Sequence, residues 1–174
     1  MSINDRKKEF TSIYQTEHDA LFRFCLFRVS DREKALDITQ ESFVKLWSQM
    51  LKDGELENGR AFLFVVARHL IIDWYRKVKP LSLDFSPTDE LDKGFDPADE
   101  TSTTSIETSS DAGRVISMIK KLPPQYRDAV YLRFVEDLPP RDIAQILKLD
   151  TGVVSVRITR GIQELRRMLG INKI

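Results

Sequence analysis

The sequence is poor in the side chains that do covalent chemistry. Its 174 residues hold one cysteine, Cys25, and two histidines, His18 and His69. One cysteine cannot close an internal disulfide, which fits a reducing compartment. A glycine-rich phosphate loop is missing, and so is any cluster of His, Cys, Asp or Glu at metal-ligand spacing. Neither an enzyme nor a bound metal or cofactor is therefore expected. No stretch is long and apolar enough to span a bilayer, and the opening M-S-I-N-D-R-K-K-E-F lacks the apolar run of a signal peptide. A soluble, cytoplasmic protein without membrane insertion is expected. Strand-type alternation is absent too, so the chain is expected to be all-α.

A net charge of zero conceals a sharp partition. Residues 1–78 carry 13 Lys+Arg against 12 Asp+Glu, residues 79–112 carry 2 against 9, and residues 113–174 carry 12 against 6. A basic C-terminal part is thus tied to an acidic strap. A basic part of this kind suits a nucleic-acid partner.

In chain order, Phe10, Ile13, Tyr14, Leu21, Phe24, Cys25 and Phe27 support one long helix from about Asp5 to Val29. Ser30-Asp31 reads as a stop and an N-cap. A second helix runs to about Lys52, with Leu36, Thr39, Phe43, Trp47 and Met50 on its inner stripe and Asp37, Gln40, Glu41 and Val44 on an outer strip. Turn signals at Lys52-Asp53-Gly54 and Asn58-Gly59 introduce a third helix. Residues 5–78 can then form a small helical bundle. Residues 79–110 lose all apolar period and hold Pro80, Pro87, Pro97 and the run T-S-T-T-S, which predicts an acidic flexible linker. Residues 111–170 return to helical period, broken at Pro123-Pro124 and Pro139-Pro140, and predict a four-helix domain.

Two stretches suggest binding. In Arg60–Lys77, Leu63, Val66, Leu70 and Trp74 form a stripe suited to a core, while Phe64, Arg68, Ile72, Tyr75 and Arg76 fall opposite it. Rings beside guanidinium groups suit an unpaired nucleic-acid strand, but a helix buried on both sides gives the same pattern. Periodicity leaves both readings open. From Pro140 to Leu169 the pattern is a short helix, a turn and a longer helix, with Ile143, Ala144, Leu147, Val154 and Ile158 inward. Such a helix-turn-helix places its second helix in the major groove. Ser155, Val156, Arg157, Thr159 and Arg160, on that second helix, are the candidate DNA-binding residues. Lys148 stands in the turn where glycine is often found.

Together, A-L-D-I-T-Q-E-S-F-V-K-L-W (35–47), A-F-L-F-V-V-A-R-H-L-I-I-D-W-Y-R (61–76), L-P-P-Q-Y-R-D-A-V-Y-L-R-F (122–134) and D-I-A-Q-I-L-K-L-D-T-G-V-V-S-V-R-I-T-R (142–160) resemble the extracytoplasmic-function sigma factors, the small two-domain class of bacterial RNA polymerase specificity subunits. The resemblance implies that residues 5–78 bind the clamp helices of core RNA polymerase through Asp37, Gln40, Glu41 and Val44. It also implies that Phe64, Arg68, His69, Ile72 and Arg76 bind the melted strand at the promoter −10 element. The second helix of the helix-turn-helix would read the −35 element in duplex DNA. The linker would thread the polymerase's RNA path, and an anti-sigma factor would control the whole. The chain departs from the family pattern at His69, where Asn is common, and at Val65, Val153, Ser155 and Thr159.

Two other classes fit the sequence less well. An autonomous regulator would use the helix-turn-helix alone and would have no need for an arginine-aromatic face in its first half. An enzyme would have only His18, His69 and Cys25 to work with beyond carboxylates placed on helix surfaces or in the strap.

Overall fold

Local chemistry at each helix start sets the frame. The structure, a computed structural model, describes residues 2–53, 56–78 and 111–171. Ser2 opens the first helix, α1 (Ile3–Val29), by accepting from the Asp5 N–H at 3.2 Å, while its own N–H donates to the Asp5 carboxylate at 3.1 Å. The carboxylate of Asp31 accepts from the Lys34 N–H at 2.9 Å and so starts α2 (Arg32–Asp53), as expected. Asn58 does the same for α3 (Gly59–Val78) through the Ala61 N–H at 2.9 Å. Later starts use proline: Pro124 begins α5 (Pro124–Phe134) after α4 (Asp111–Lys120), and Pro140 begins α6 (Pro140–Leu147). The last helix is α7 (Thr151–Met168). Asp150 stands at its N-cap, but its side chain makes no capping bond. The described residues thus hold seven helices and no strand, the all-α class expected. The expected linker, 79–110, lies outside the described residues.

The helices fall into two compact units. In the first, α1, α2 and α3 each touch the other two. Leu21, Phe24, Cys25, Ile38, Leu46, Met50, Leu63, Phe64, Ala67 and Ile71 are its fully buried centre. Burial pushes the Cys25 thiol up to about 12, so it stays protonated and inert.

The inner face of α3 differs from the expected one. Phe64, Arg68, Ile72 and Tyr75, assigned outward from the sequence, are buried, and Arg68 is only 5% exposed. Phe64 lies against Phe24 with ring centroids 5.3 Å apart, and the Tyr75 hydroxyl donates to the Arg28 carbonyl. Val66, Leu70 and Trp74, assigned inward, are only half-buried. The cause is contact with two helices at once. A helix packed on one neighbour hides a stripe, whereas α3 hides about half its circumference, centred roughly 100° (one residue) from the expected stripe. Tyr14, among the apolar positions of α1, and Leu36, expected on the inner stripe of α2, are each 42% exposed.

In the second unit α5 touches α4, α6 and α7, and α6 rests on α7. Ile119, Leu122, Val130, Tyr131, Leu132, Ile143 and Val154 fill its core. At the crossing of α5 and α7 there is no room for a side chain on Gly161. A methyl there would overlap Val130 and lie 3.2 Å from the Tyr126 Cβ. Between α6 and α7, Lys148 adopts φ 54 and ψ 48, and the Leu149 N–H donates to the Ala144 carbonyl at 3.0 Å. This is the left-handed helix stop that glycine usually supplies.

Two stability outcomes are expected. Lys148→Gly should raise stability by about 0.5–1 kcal/mol, the relief of a left-handed L-residue less glycine's added chain entropy. Arg68→Ala should lower it by about 2 kcal/mol, because a buried stem and head group are removed. Urea titration followed by circular dichroism measures both. An unchanged midpoint for Arg68→Ala would return that side chain to the surface.

Candidate functional site

Three surfaces gather the candidate residues. On α2, Asp37, Gln40, Glu41 and Val44 are all exposed, Val44 to 63%. They recur at i, i+3, i+4 and i+7, so helical geometry places them in one strip opposite Ala35, Ile38, Ser42 and Leu46. Lys34 lies 3.3 Å from Asp37, and Lys45 lies 3.7 Å from Glu41, both as exposed pairs. Such pairs contribute little to stability and exchange readily for a partner's charges.

Beside this strip the structure shows a feature that periodicity did not predict. A cleft of about 480 Å³ opens between α1 and α2, with Phe10, Tyr14, Phe43 and Trp47 lining it and Gln40 and Val44 on its border with the strip. Its rings pack edge-on or tilted, with Phe10–Trp47 centroids 5.3 Å apart and Tyr14–Phe43 centroids 4.7 Å apart. The sequence reading placed Trp47 on the inner stripe of α2 and counted Tyr14 among the apolar positions of α1. Instead they form the wall of an apolar recess open to solvent. The signal available was the density of rings at 10, 14, 43 and 47, too many for one small bundle's core to enclose.

On α3 the expected set divides. Phe64, Arg68 and Ile72 belong to the core, as described above, and His69 and Arg76 remain accessible, the former half-buried. The outward arc also carries Phe62, Val66, Asp73 and Lys77. Arg76 approaches Asp73 to 3.5 Å in an exposed pair. The outward arc of α3 thus carries Phe62, Val66 and cations beside Asp73, and Phe64, Arg68 and Ile72 of the expected set are not on it.

On α7, Ser155, Val156, Thr159 and Arg160 are exposed, and Arg157 is half-buried. Val154 and Gly161 hold the opposite side in the core. The Ser155 and Thr159 hydroxyls each donate to the carbonyl one turn back, at 3.0 Å, which leaves their oxygen lone pairs facing outward as acceptors. Arg160 makes no ion pair among the described residues, so its guanidinium is available to a ligand.

Known proteins match this arrangement. Residues 13–80 fit the model of sigma-70 region 2, and residues 112–165 fit that of sigma-70 region 4. Along its length the chain is similar to the extracytoplasmic-function (ECF) RNA polymerase sigma factor SigW of Bacillus subtilis. The two are 28% identical over 170 residues, covering 92% of this chain and 88% of that protein. The RNA polymerase sigma factor SigV of the same organism is 27% identical over 168 residues, with 96% and 88% covered. Among solved structures, the sigma factor RpoE of Bartonella quintana, crystallised with the anti-sigma factor NepR, shares the fold. Its TM-score is 0.67 at 21% identity, over 95% of this chain and 99% of that one. With region 2 followed by region 4 across more than half its residues, and likeness to sigma factors along nearly all of it, the chain belongs to the extracytoplasmic-function sigma factors of the sigma-70 family.

Proposed function

We propose that residues 5–78 dock on core RNA polymerase through α2 and hold the melted −10 strand on α3, while residues 111–170 place α7 in the −35 duplex. The observation that carries this reading is the pairing on one surface of an acidic strip with an apolar aromatic recess. Exposed carboxylates steer a basic partner and set its register, and rings in a recess supply a buried anchor for affinity. On a partner helix, basic residues would face Asp37 and Glu41 while an apolar residue enters between Tyr14 and Val44.

Opening of DNA follows from differential affinity. A face with Phe62, His69, Arg76 and Lys77 offers ring and cation contacts to an unstacked strand that a closed duplex does not accept. Binding of the open form then shifts the equilibrium toward it, and no bond is made or broken by this chain. Its role is thus that of a non-catalytic cytoplasmic specificity subunit. On α7, Val156, Thr159 and Arg160 would face base edges from the major groove. Control by an anti-sigma factor fits a protein whose two binding surfaces on α2 and α3 are both solvent-exposed. The likeness to RpoE, solved with NepR, supports that part of the reading.

The primary test is co-purification with bacterial core polymerase followed by run-off transcription from a promoter library. New promoter-specific transcripts are expected; absence of association, with no anti-sigma factor present, would sink the proposal. Reversing charge at Asp37 and Glu41 together should abolish association in a pull-down while leaving the circular dichroism melt unchanged. Arg160→Ala should weaken duplex binding by about 1–3 kcal/mol and relax preference at one base pair. His69→Ala and Arg76→Ala should reduce open-complex formation, read by permanganate footprinting, without shifting the melting midpoint.

A further inference from the structure

The first turn of α3 goes against the ordinary preferences of a helix start. Gly59 and Arg60 follow the Asn58 cap, and the turn holds no carboxylate of its own. Glycine weakens a helix, and a cation is out of place at the positive end of the helix dipole. Without outside support such a turn frays.

The support comes from the cap and from α1. The Asn58 side chain accepts from the Ala61 N–H at 2.9 Å, and its carbonyl accepts from the Phe62 N–H at 3.1 Å. Gly59 lies so close to α1 that a methyl on it would stand 2.8 Å from the Ile13 Cδ1. One turn further along the same face of α1, Glu17 meets Arg60 at 2.8 Å. The Glu17 side chain is 17% exposed and that of Arg60 33%, so water screens this pair less than the pairs on α2. Glu17 also gives the start of α3 the negative charge that its own first turn lacks.

Phe62 is the residue that this support fixes. It closes the first turn and stands half-buried on the outward arc of α3. A ring on a fraying turn must be ordered each time a base stacks on it, and that ordering costs affinity. A ring on a pinned turn is ordered beforehand.

We infer that the Glu17–Arg60 pair positions Phe62 for base stacking. Glu17 holds the first turn of α3 to α1, so the ring stands ready for an unpaired base. The inference rests on the reading that α3 holds the melted strand. It gives α1 a part in DNA opening, with Glu17 and Arg60 as positioning residues that act through Phe62.

The test uses holoenzyme assembled from the full chain and core polymerase. Its ligand is a single-stranded oligonucleotide with the −10 sequence of a promoter recovered from the run-off library. Glu17→Gln is expected to lower affinity for this strand about three- to tenfold. Association with core and affinity for a −35 duplex should stay as in the natural chain. In a Phe62→Ala background, Glu17→Gln should cause no further loss, because the ring through which it acts is gone. The reversed pair, Glu17→Lys with Arg60→Glu, should recover most of the affinity. An equal loss with and without the Phe62 ring would make the pair a general structural contact and overturn the inference. Natural strand affinity in Glu17→Gln, with Phe62→Ala impaired, would sink the positioning role and leave the placement of the strand intact. If Phe62→Ala, His69→Ala and Arg76→Ala all bind the strand as the natural chain does, α3 does not hold it, and the positioning role falls too.

Discussion

The third helix of the first unit must bury half its circumference, and this constraint decides which of its surfaces are left outside. With α1, α2 and α3 each in contact with the other two, the core claims two adjoining sides of every helix. What remains to each is one outward arc. On α2 that arc is acidic, and on α3 it is aromatic and cationic. The acidic surface and the aromatic, cationic surface therefore lie on separate helices whose orientation is fixed by shared packing. A core substitution that rotated α3 would displace its outward arc without altering any residue on it.

That constraint also explains what could and could not be read from the sequence. Helix starts were legible because they depend on local chemistry: Asp31, Asn58, Pro124 and Pro140 each act within a few residues. The strip on α2 was legible because its polar and apolar residues separate cleanly around the helix. On α3 they do not separate. Phe62, Val65 and Val66 point outward while Phe64 and Arg68 point inward, so hydrophobicity alone has no unique direction there. Only the positions of α1 and α2 settle it, and those are tertiary facts.

Other misses share this origin. The hydroxyl of the fully buried Tyr131 donates to the buried Glu136 at 3.0 Å, a contact between the body of α5 and the turn that follows it. In sequence, Glu136 was one charge among many. Nothing local in the sequence marks Gly161, yet a side chain there would overlap Val130 of α5. The apolar cleft on the first unit arises from rings on two helices that no window of sequence contains. On α7, which packs on both α5 and α6, the polar and apolar residues do separate around the helix, and the stripe reading placed Ser155, Val156, Thr159 and Arg160 outside, where they are exposed.

The uneven placement of a few side chains has a practical result. Both tryptophans, Trp47 and Trp74, and the buried, protonated Cys25 belong to the first unit, whereas the second holds only the tyrosines Tyr126 and Tyr131. Indole emission and thiol labelling thus report on one unit alone, with Trp47 lining the cleft beside the acidic strip. The molecule comes with its own spectroscopic bookmarks. Opening of the first unit can be timed separately from events in the second, in the unmodified chain.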